Sequence, residues 1–319
     1  NYKKSTKTIL SKLVDSFSAS KHSLALISST EELVTSEYIA ALKNFLKDEN
    51  LSKIDLIALH GQTIFHDPIK KSSIQLCDEL KIKGVFNLPI VSDFRQKDLS
   101  LGGQGAPLTP IFHKLLMLKL KMTPPLCFVN IGGISNITVI DDQEYIYAYD
   151  TGPGMCLLDQ YMFLKKKINF DKGGMHSLKG KVNLKILNKL MSDKFFHKKK
   201  NKSLDRNYFR LNQFMKLNFN DACATISAVT AISIIKEADR FNARYLIVSG
   251  GGSKNKYVIN LMKETFKGKI FTADHLNLNS DFIESQAFAY LGIRRMKNLS
   301  ISFPSTTGVK YSVTGGKVN

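Results

Sequence analysis

The chain has 319 residues, 43% hydrophobic and 23% charged, which is enough apolar content for two domains and excludes a disordered tail or a miniprotein. Its 46 Lys and Arg against 27 Asp and Glu give a net charge of +19, yet only seven of the 46 are Arg. Arg is the residue of bidentate phosphate and guanine readout, so a Lys-rich surface constrains function only loosely and argues against a nucleic-acid partner.

Cys77, Cys127, Cys156 and Cys223 form no C-x-x-C pair, so neither a disulfide framework nor a thiolate metal site is expected. No signal-peptide pattern opens the chain, and no apolar run approaches the roughly 20 residues a membrane helix needs. A cytoplasmic protein with no membrane partner is expected.

From the N-terminus, residues 6–17 and 31–46 carry helical patterns, the second opened by Ser29 and Glu32 at capping-box spacing. Residues 54–59 read as a strand ending in His60-Gly61-Gln62-Thr63, and residues 85–91 as a second strand feeding Ser92-Asp93-Phe94-Arg95. Next comes Gly102-Gly103-Gln104-Gly105-Ala106-Pro107-Leu108, a Gly-rich loop that opens an apolar helix at Pro110 and whose backbone N–H groups suit an anion or a sugar. A plain tight turn accounts for it equally well.

Lys121-Met122-Thr123-Pro124-Pro125 breaks the chain, giving domains at 1–123 and 124–319, the last helix and tail packing back toward the cleft between them. Three strands follow at 127–131, 136–140 and 145–149, joined by turns short enough for antiparallel hairpins. Helix 221–238, strand 245–249, the loop Gly250-Gly251-Gly252-Ser253, helix 256–266, strand 269–272 and helix 282–296 complete an α/β pattern with a mixed sheet. The basic runs 165–167 and 198–200 read as solvated faces.

The sharpest local signal is Asp150-Thr151-Gly152-Pro153-Gly154, a carboxylate at a strand end followed by unobstructed backbone. Asp150 suits a general base or a Mg²⁺ ligand, although an Asx-turn explains most such strings. The hairpin Asn130 to Asn136 carries Gly132 and Gly133, and glycines in such turns form phosphate nests as readily as ordinary bends. In Asp281-Phe282-Ile283-Glu284, Asp281 is the expected N-cap and Glu284 lies at capping-box distance. G-x-G-x-x-G, the P-loop string, H-E-x-x-H and G-x-S-x-G are all absent, which argues against dinucleotide enzymes, P-loop NTPases, a His-built metal site and the usual hydrolase elbow.

Taken jointly, His60-Gly61-Gln62-Thr63, Asp93-Phe94-Arg95, Gly102 to Leu108, Asn130 to Asn136, Asp150 to Gly154, Ser249 to Asn255, Glu284 to Ala289 and Pro304-Ser305-Thr306-Thr307-Gly308 resemble the anhydro-N-acetylmuramic acid kinase family. They run in the family's order across nearly the whole chain. The resemblance implies a two-domain actin-like ATPase and sugar kinase fold with mixed sheets and an interdomain cleft. It implies hydrolysis of the 1,6-anhydro ring of anhydro-N-acetylmuramic acid coupled to phosphorylation of O6, with ATP and Mg²⁺, and a homodimer.

By the same resemblance, Asp150 is the base that activates water. Gly132 and Gly133 contact phosphate, Gly250, Gly251 and Gly252 lie beside the adenosine, and Asp93, Arg95, Gly103, Gln104, Gly105 and Glu284 are sugar-side residues. No residue is assigned as a metal ligand. Met155 stands where the family usually has Asn. The family's opening G-T-S-x-D-G phosphate loop does not occur, so a first strand hairpin is expected to be missing and this form to turn over poorly. Two other readings follow: a degenerate sugar-binding relative without turnover, and, from charge alone, a Lys-rich nucleic-acid-binding protein.

Overall fold

The computed structural model describes residues 2–18, 23–48, 53–198, 202–280 and 282–319. The expected N-cap Asp281 and the Lys199 and Lys200 of the second basic run lie outside the described residues. In chain order the elements are α1 (Lys4–Ser18), α2 (Leu24–Asp48), β1 (Ile57–Ala58), β2 (Gln62–Asp67), β3 (Ser72–Leu76), α3 (Glu79–Phe86), β4 (Ile90–Ser92), α4 (Gln96–Ser100) and α5 (Pro110–Lys119). They continue with β5 (Leu126–Ile131), β6 (Ile134–Ile140), β7 (Ile146–Pro153), α6 (Cys156–Lys166), α7 (Leu184–Met191), α8 (Phe219–Arg240), β8 (Tyr245–Ser249), α9 (Lys256–Thr265), β9 (Lys269–Thr272), α10 (Ile283–Met296), α11 (Pro304–Thr307) and β10 (Lys317–Val318). The chain divides into two compact units, residues 1–112 with 284–319 and residues 113–283. Against a division at 123, the first break falls within α5, and residues 284–319 join the first unit. Among the described residues no helix is long and apolar enough to cross a membrane.

The first unit is organised by β4, buried along its length between parallel β1 and antiparallel β10. On α1, Leu10 and Leu13 stand at i, i+3 and bury against Val34 of α2 and Ile64 and Leu76 of the β2–β3 hairpin, the face an amphipathic helix supplies. Helix α10 approaches β1 so closely that a Cβ at Gly292 would lie 2.9 Å from the Ala58 Cβ.

Three local expectations are corrected here. Helix α2 begins at Leu24, so Ser29 and Glu32 are interior and the Ser29 hydroxyl bonds the Leu26 carbonyl instead of capping. Residues 85 and 86 end helix α3, not a strand, because the Asp78 side chain caps its start through the Lys81 N–H at 2.9 Å and Asn87, at φ 51°, closes its end on the Lys83 carbonyl. After Gly61 the chain enters the β2–β3 hairpin, whose turn is organised by Asp67 accepting the N–H groups of Ile69 and Lys70 at 3.0 and 3.1 Å.

The second unit is a five-stranded mixed sheet in the order β7-β6-β5-β8-β9, with β5 antiparallel to β6 and parallel to β8. Its centre reads as near-continuous apolar runs because those strands are covered by helices. Helix α8 joins two cores, contributing Ala231, Ile234, Ile235 and Ala238 to the core of the sheet and Ala222, Cys223, Ile226, Ala228 and Val229 to a second cluster with Leu157, Phe195 and Phe214. Its small side chains let β7 come close: a Cβ at Gly152 would meet the Ser233 hydroxyl at 2.8 Å. The fold class is therefore α/β with a mixed sheet in each unit.

Candidate active site

In the second unit, β5, β7 and β8 all run the same way, so the Gly132-Gly133 turn, the end of β7 and the Gly250–Gly252 loop collect at the sheet's carboxyl end. That is where α/β proteins build sites. The turn after β7 is tied down from both sides. Carbonyls of Gly132 and Gly133 accept the N–H groups of Gly154, Met155 and Cys156 at 2.8–3.0 Å, and the Thr230 hydroxyl of α8 lies 2.9 and 2.8 Å from the carbonyls of Pro153 and Gly154.

These loops enclose a cavity of about 480 Å³ lined by Gly132, Gly133, Gly251 and Gly252, with Met155, Asp159, Phe170, Lys254 and Asn255 among the other walls. The glycines differ in what they do. Side chains at Gly154 and Gly252 would strike the Gly132 carbonyl and Ile131 at 2.2 Å, and one at Gly250, which also has φ 82°, would strike Asn130 at 2.3 Å. At Gly133 the nearest atom to a built Cβ is 3.7 Å away and at Gly251 nothing lies within 4 Å. Packing does not demand glycine at those two positions; they expose bare backbone to the cavity. Met155 fills the position with an apolar wall while its N–H serves the turn.

Two polar groups of the cavity are poised for a ligand. Asn255 is 4% exposed, its Oδ1 accepting the Val258 N–H at the start of α9, while its Nδ2 is buried without a partner among the described residues. Burial pushes the Asp159 carboxyl up to about 6, with the Arg206 charge opposing.

Asp150 stands at the same end of the sheet but outside the cavity lining. The β6–β7 register slips by one residue here, Asn136 facing Asp150 and Ser135 facing Gly152, so Thr151 is the extra residue of a bulge. Bulges re-aim side chains and concentrate beside active sites. The Asp150 Oδ2 accepts the Leu204 N–H at 2.8 Å, and its Oδ1 takes no hydrogen bond among the described residues. Burial pushes this carboxyl up to about 6, against the Leu204 bond, which pulls it down.

The first unit holds a second cluster. Arg95 donates through Nε to His60 Nε2 at 2.9 Å and through Nη1 to the Gly105 carbonyl at 2.8 Å, and the Glu284 charge supports its cationic form against burial. Since His60 Nε2 accepts, its Nδ1 carries the proton and bonds the Gly61 carbonyl at 2.9 Å; burial first, then Arg95, pushes His60 down to about 4. A neutral imidazole fixed in one tautomer results.

The Gly102–Ala106 loop is held by a residue that sequence reasoning missed. Asp98, 1% exposed, accepts the Gly105 N–H at 2.7 Å and the Thr307 hydroxyl at 2.6 Å, and a Cβ at Gly103 would lie 2.1 Å from its Oδ1. The Gln104 N–H bonds the Thr307 carbonyl at 2.8 Å. Arg95, Gly103, Gln104, Gly105 and Glu284 are thus brought together. Asp93, at φ 51°, is raised by burial and has its charged neighbours in Glu79 and Lys317 rather than in this cluster. Among the described residues no group of three or more His, Cys, Asp or Glu side chains could hold a metal ion.

A family model described as Anhydro-N-acetylmuramic acid kinase matches residues 4–319. The anhydro-N-acetylmuramic acid kinase of Methylobacterium nodulans is 38% identical over 290 residues, 90% of this chain and 78% of that one. The protein of the same name from Zymomonas mobilis subsp. mobilis is 37% identical over 299 residues, 92% of this chain and 81% of that one. Among solved structures, the activator of the 2-hydroxyisocaproyl-CoA dehydratase from Clostridium difficile with bound ADPNP gives a TM-score of 0.34 at 15% identity, over 56% of this chain and 65% of that one, a weak likeness.

Proposed function

The chain belongs to the anhydro-N-acetylmuramic acid kinase family, and from that we propose how its residues divide the reaction. It is an ATP-dependent phosphotransferase with an alcohol group as acceptor, which hydrolyses the 1,6-anhydro ring of anhydro-N-acetylmuramic acid and phosphorylates O6, a step of peptidoglycan recycling. Neither a sugar-binding relative without turnover nor a nucleic-acid binder is favoured by these matches.

Asp150 is the general base. It takes a proton from water, whose oxygen forms the new bond to the anomeric carbon; the bond from that carbon to O6 breaks; O6 attacks the γ-phosphorus and ADP leaves. One carboxylate thereby drives both events, because O6 becomes a nucleophile only as its ring bond opens. The observation that carries this reading is the Asp150 carboxyl itself, raised by burial and anchored through Oδ2, with no hydrogen bond at Oδ1 among the described residues. A base is most effective when its pKa lies near the working pH.

The cavity beneath the Gly132-Gly133 turn is the nucleotide site in this reading, with Gly132 and Gly133 at the phosphates and Gly250, Gly251 and Gly252 beside the adenosine. Backbone N–H groups there stabilise charge on the phosphoryl oxygens. Arg95, Gly103, Gln104, Gly105 and Glu284 bind the sugar, with Asp93 at their margin. Mg²⁺ would travel on the ATP phosphates and would neutralise charge on the phosphoryl oxygens. A cytoplasmic location fits the sequence reading, and a homodimer follows from the family resemblance.

The destination of the water oxygen is tested by turnover in ¹⁸O-labelled water. The label is expected on the anomeric hydroxyl of N-acetylmuramic acid 6-phosphate and absent from its phosphate. Label in the phosphate would overturn the coupling of ring opening to phosphoryl transfer.

A further inference from the structure

Asp150 is gripped by a segment outside the sheet. Its N–H donates to the Lys202 carbonyl at 2.9 Å, and its Oδ2 accepts the Leu204 N–H at 2.8 Å, so residues 202–204 run along the free edge of β7. Leu204 buries its side chain in the cluster of Leu157, Phe195 and Phe209.

Lys202 is 3% exposed, a burial that lysine almost never has unless paired. Its ammonium pairs with Glu237 of α8, also 3% exposed, and lies over the rings of Tyr149 and Phe195 at 5.2 and 5.7 Å. The other Glu237 oxygen accepts the Tyr149 hydroxyl at 2.9 Å and has the Arg240 Nη1 at 3.4 Å. Tyr149 precedes Asp150 on β7, and successive strand residues point to opposite faces. Glu237 therefore holds both the strand, at residue 149, and the segment that clamps residue 150. A buried ion pair is a poor source of net stability against its desolvation penalty, so its geometry is the more informative property.

We propose that the buried Lys202–Glu237–Tyr149 cluster is a positioning device for the reaction: it fixes the 202–204 segment so that the Leu204 N–H occupies Oδ2 of Asp150 and leaves Oδ1 for the water. This rests on the reading of Asp150 as the base. Lys202, Glu237 and Tyr149 touch no reacting atom and act through Asp150. Among the described residues no charged side chain adds to burial and the Leu204 N–H in setting the Asp150 pKa; Lys202 is engaged by Glu237, and Asn136 faces Asp150 from β6.

Releasing the segment removes both the Leu204 bond, which favours the ionised carboxyl, and part of the burial that disfavours it, so the Asp150 midpoint and the acid limb of the rate profile are expected to leave their wild-type position together. The test uses Lys202→Met, the double variant Lys202→Met/Glu237→Leu, which leaves neither charge unpaired if the single variant fails to fold, and Lys202→Arg. Readouts are kcat, the KM for ATP, and the Asp150 carboxyl titration by ¹³C NMR, assigned with Asp150→Asn. We expect kcat to fall at least about tenfold in the Met variants with the KM for ATP within about twofold, the Asp150 midpoint to move away from its wild-type value, and Lys202→Arg to recover most of both. A lowered melting temperature with the Asp150 midpoint and kcat unchanged would make the cluster merely structural and overturn the proposal. Wild-type turnover in Asp150→Asn would instead overturn the base assignment, while the NMR midpoint still reports on the clamp.

Discussion

In the proposed role of general base, Asp150 combines two properties that usually conflict, a buried carboxyl and a negative charge. Folded, it holds its proton up to about pH 6; unfolded, only to about pH 4. Between those values the folded state binds more protons, so stability falls as pH rises through the window, and above it the ionised carboxylate costs on the order of 2 kcal/mol. Asp150→Asn is therefore expected to melt at a higher temperature than the wild type at pH 7.5 by calorimetry, with the gain gone by pH 4; a lower melting temperature at pH 7.5 would contradict this. In the same way kcat is expected to fall as pH drops through about 6, a limb that Asp159→Asn retains. The place of Asp150 toward the carboxyl end of β7 was legible from its string, where a strand-like run meets Asp-Thr-Gly-Pro-Gly, although the string alone serves an Asx-turn equally well. Asp98 was not, because nothing in Gln-Lys-Asp-Leu-Ser marks it; its role comes from Thr307, far along the chain.

The turn between β5 and β6 and the loop after β8 separate glycines that packing requires from glycines that face open space. Gly133→Ala and Gly251→Ala are expected to fold as the wild type does, since their built Cβ atoms meet nothing closer than 3.7 Å, and to raise the KM for ATP about tenfold by crowding the backbone surface. Gly154→Ala is expected to lose about 2 kcal/mol or more by denaturant unfolding, because a Cβ there would lie 2.2 Å from the Gly132 carbonyl. An unchanged KM in both cavity variants would remove the nucleotide from this end of the sheet. Strands β5 to β9 and helices α8 to α10 were readable because buried runs and long periodic segments leave little competition. Helix α3 and the β2–β3 hairpin were not, since short elements are decided by single residues: the caps Asp78 and Asn87 for one and the Asp67 turn for the other.

Over the molecule as a whole, the charge of +19 loses its first meaning. In a kinase whose substrates are ATP and a carboxylate-bearing sugar, a Lys-rich surface raises the local concentration of anions without reading a sequence. The α/β class and the family were legible from the joint order of motifs, while each motif alone was ambiguous. The division into units was less legible, because residues 284–319 join the first unit through long-range contacts such as Asp98 to Thr307 that leave no local trace. The base assignment now rests on one comparison: formation of N-acetylmuramic acid 6-phosphate from the anhydro sugar, ATP and Mg²⁺ at pH 8 by the wild type and by Asp150→Asn. Loss of turnover by about a thousandfold or more in the variant, with its fold retained, is the expected result; a variant that forms product at the wild-type rate would show that Asp150 is not the base.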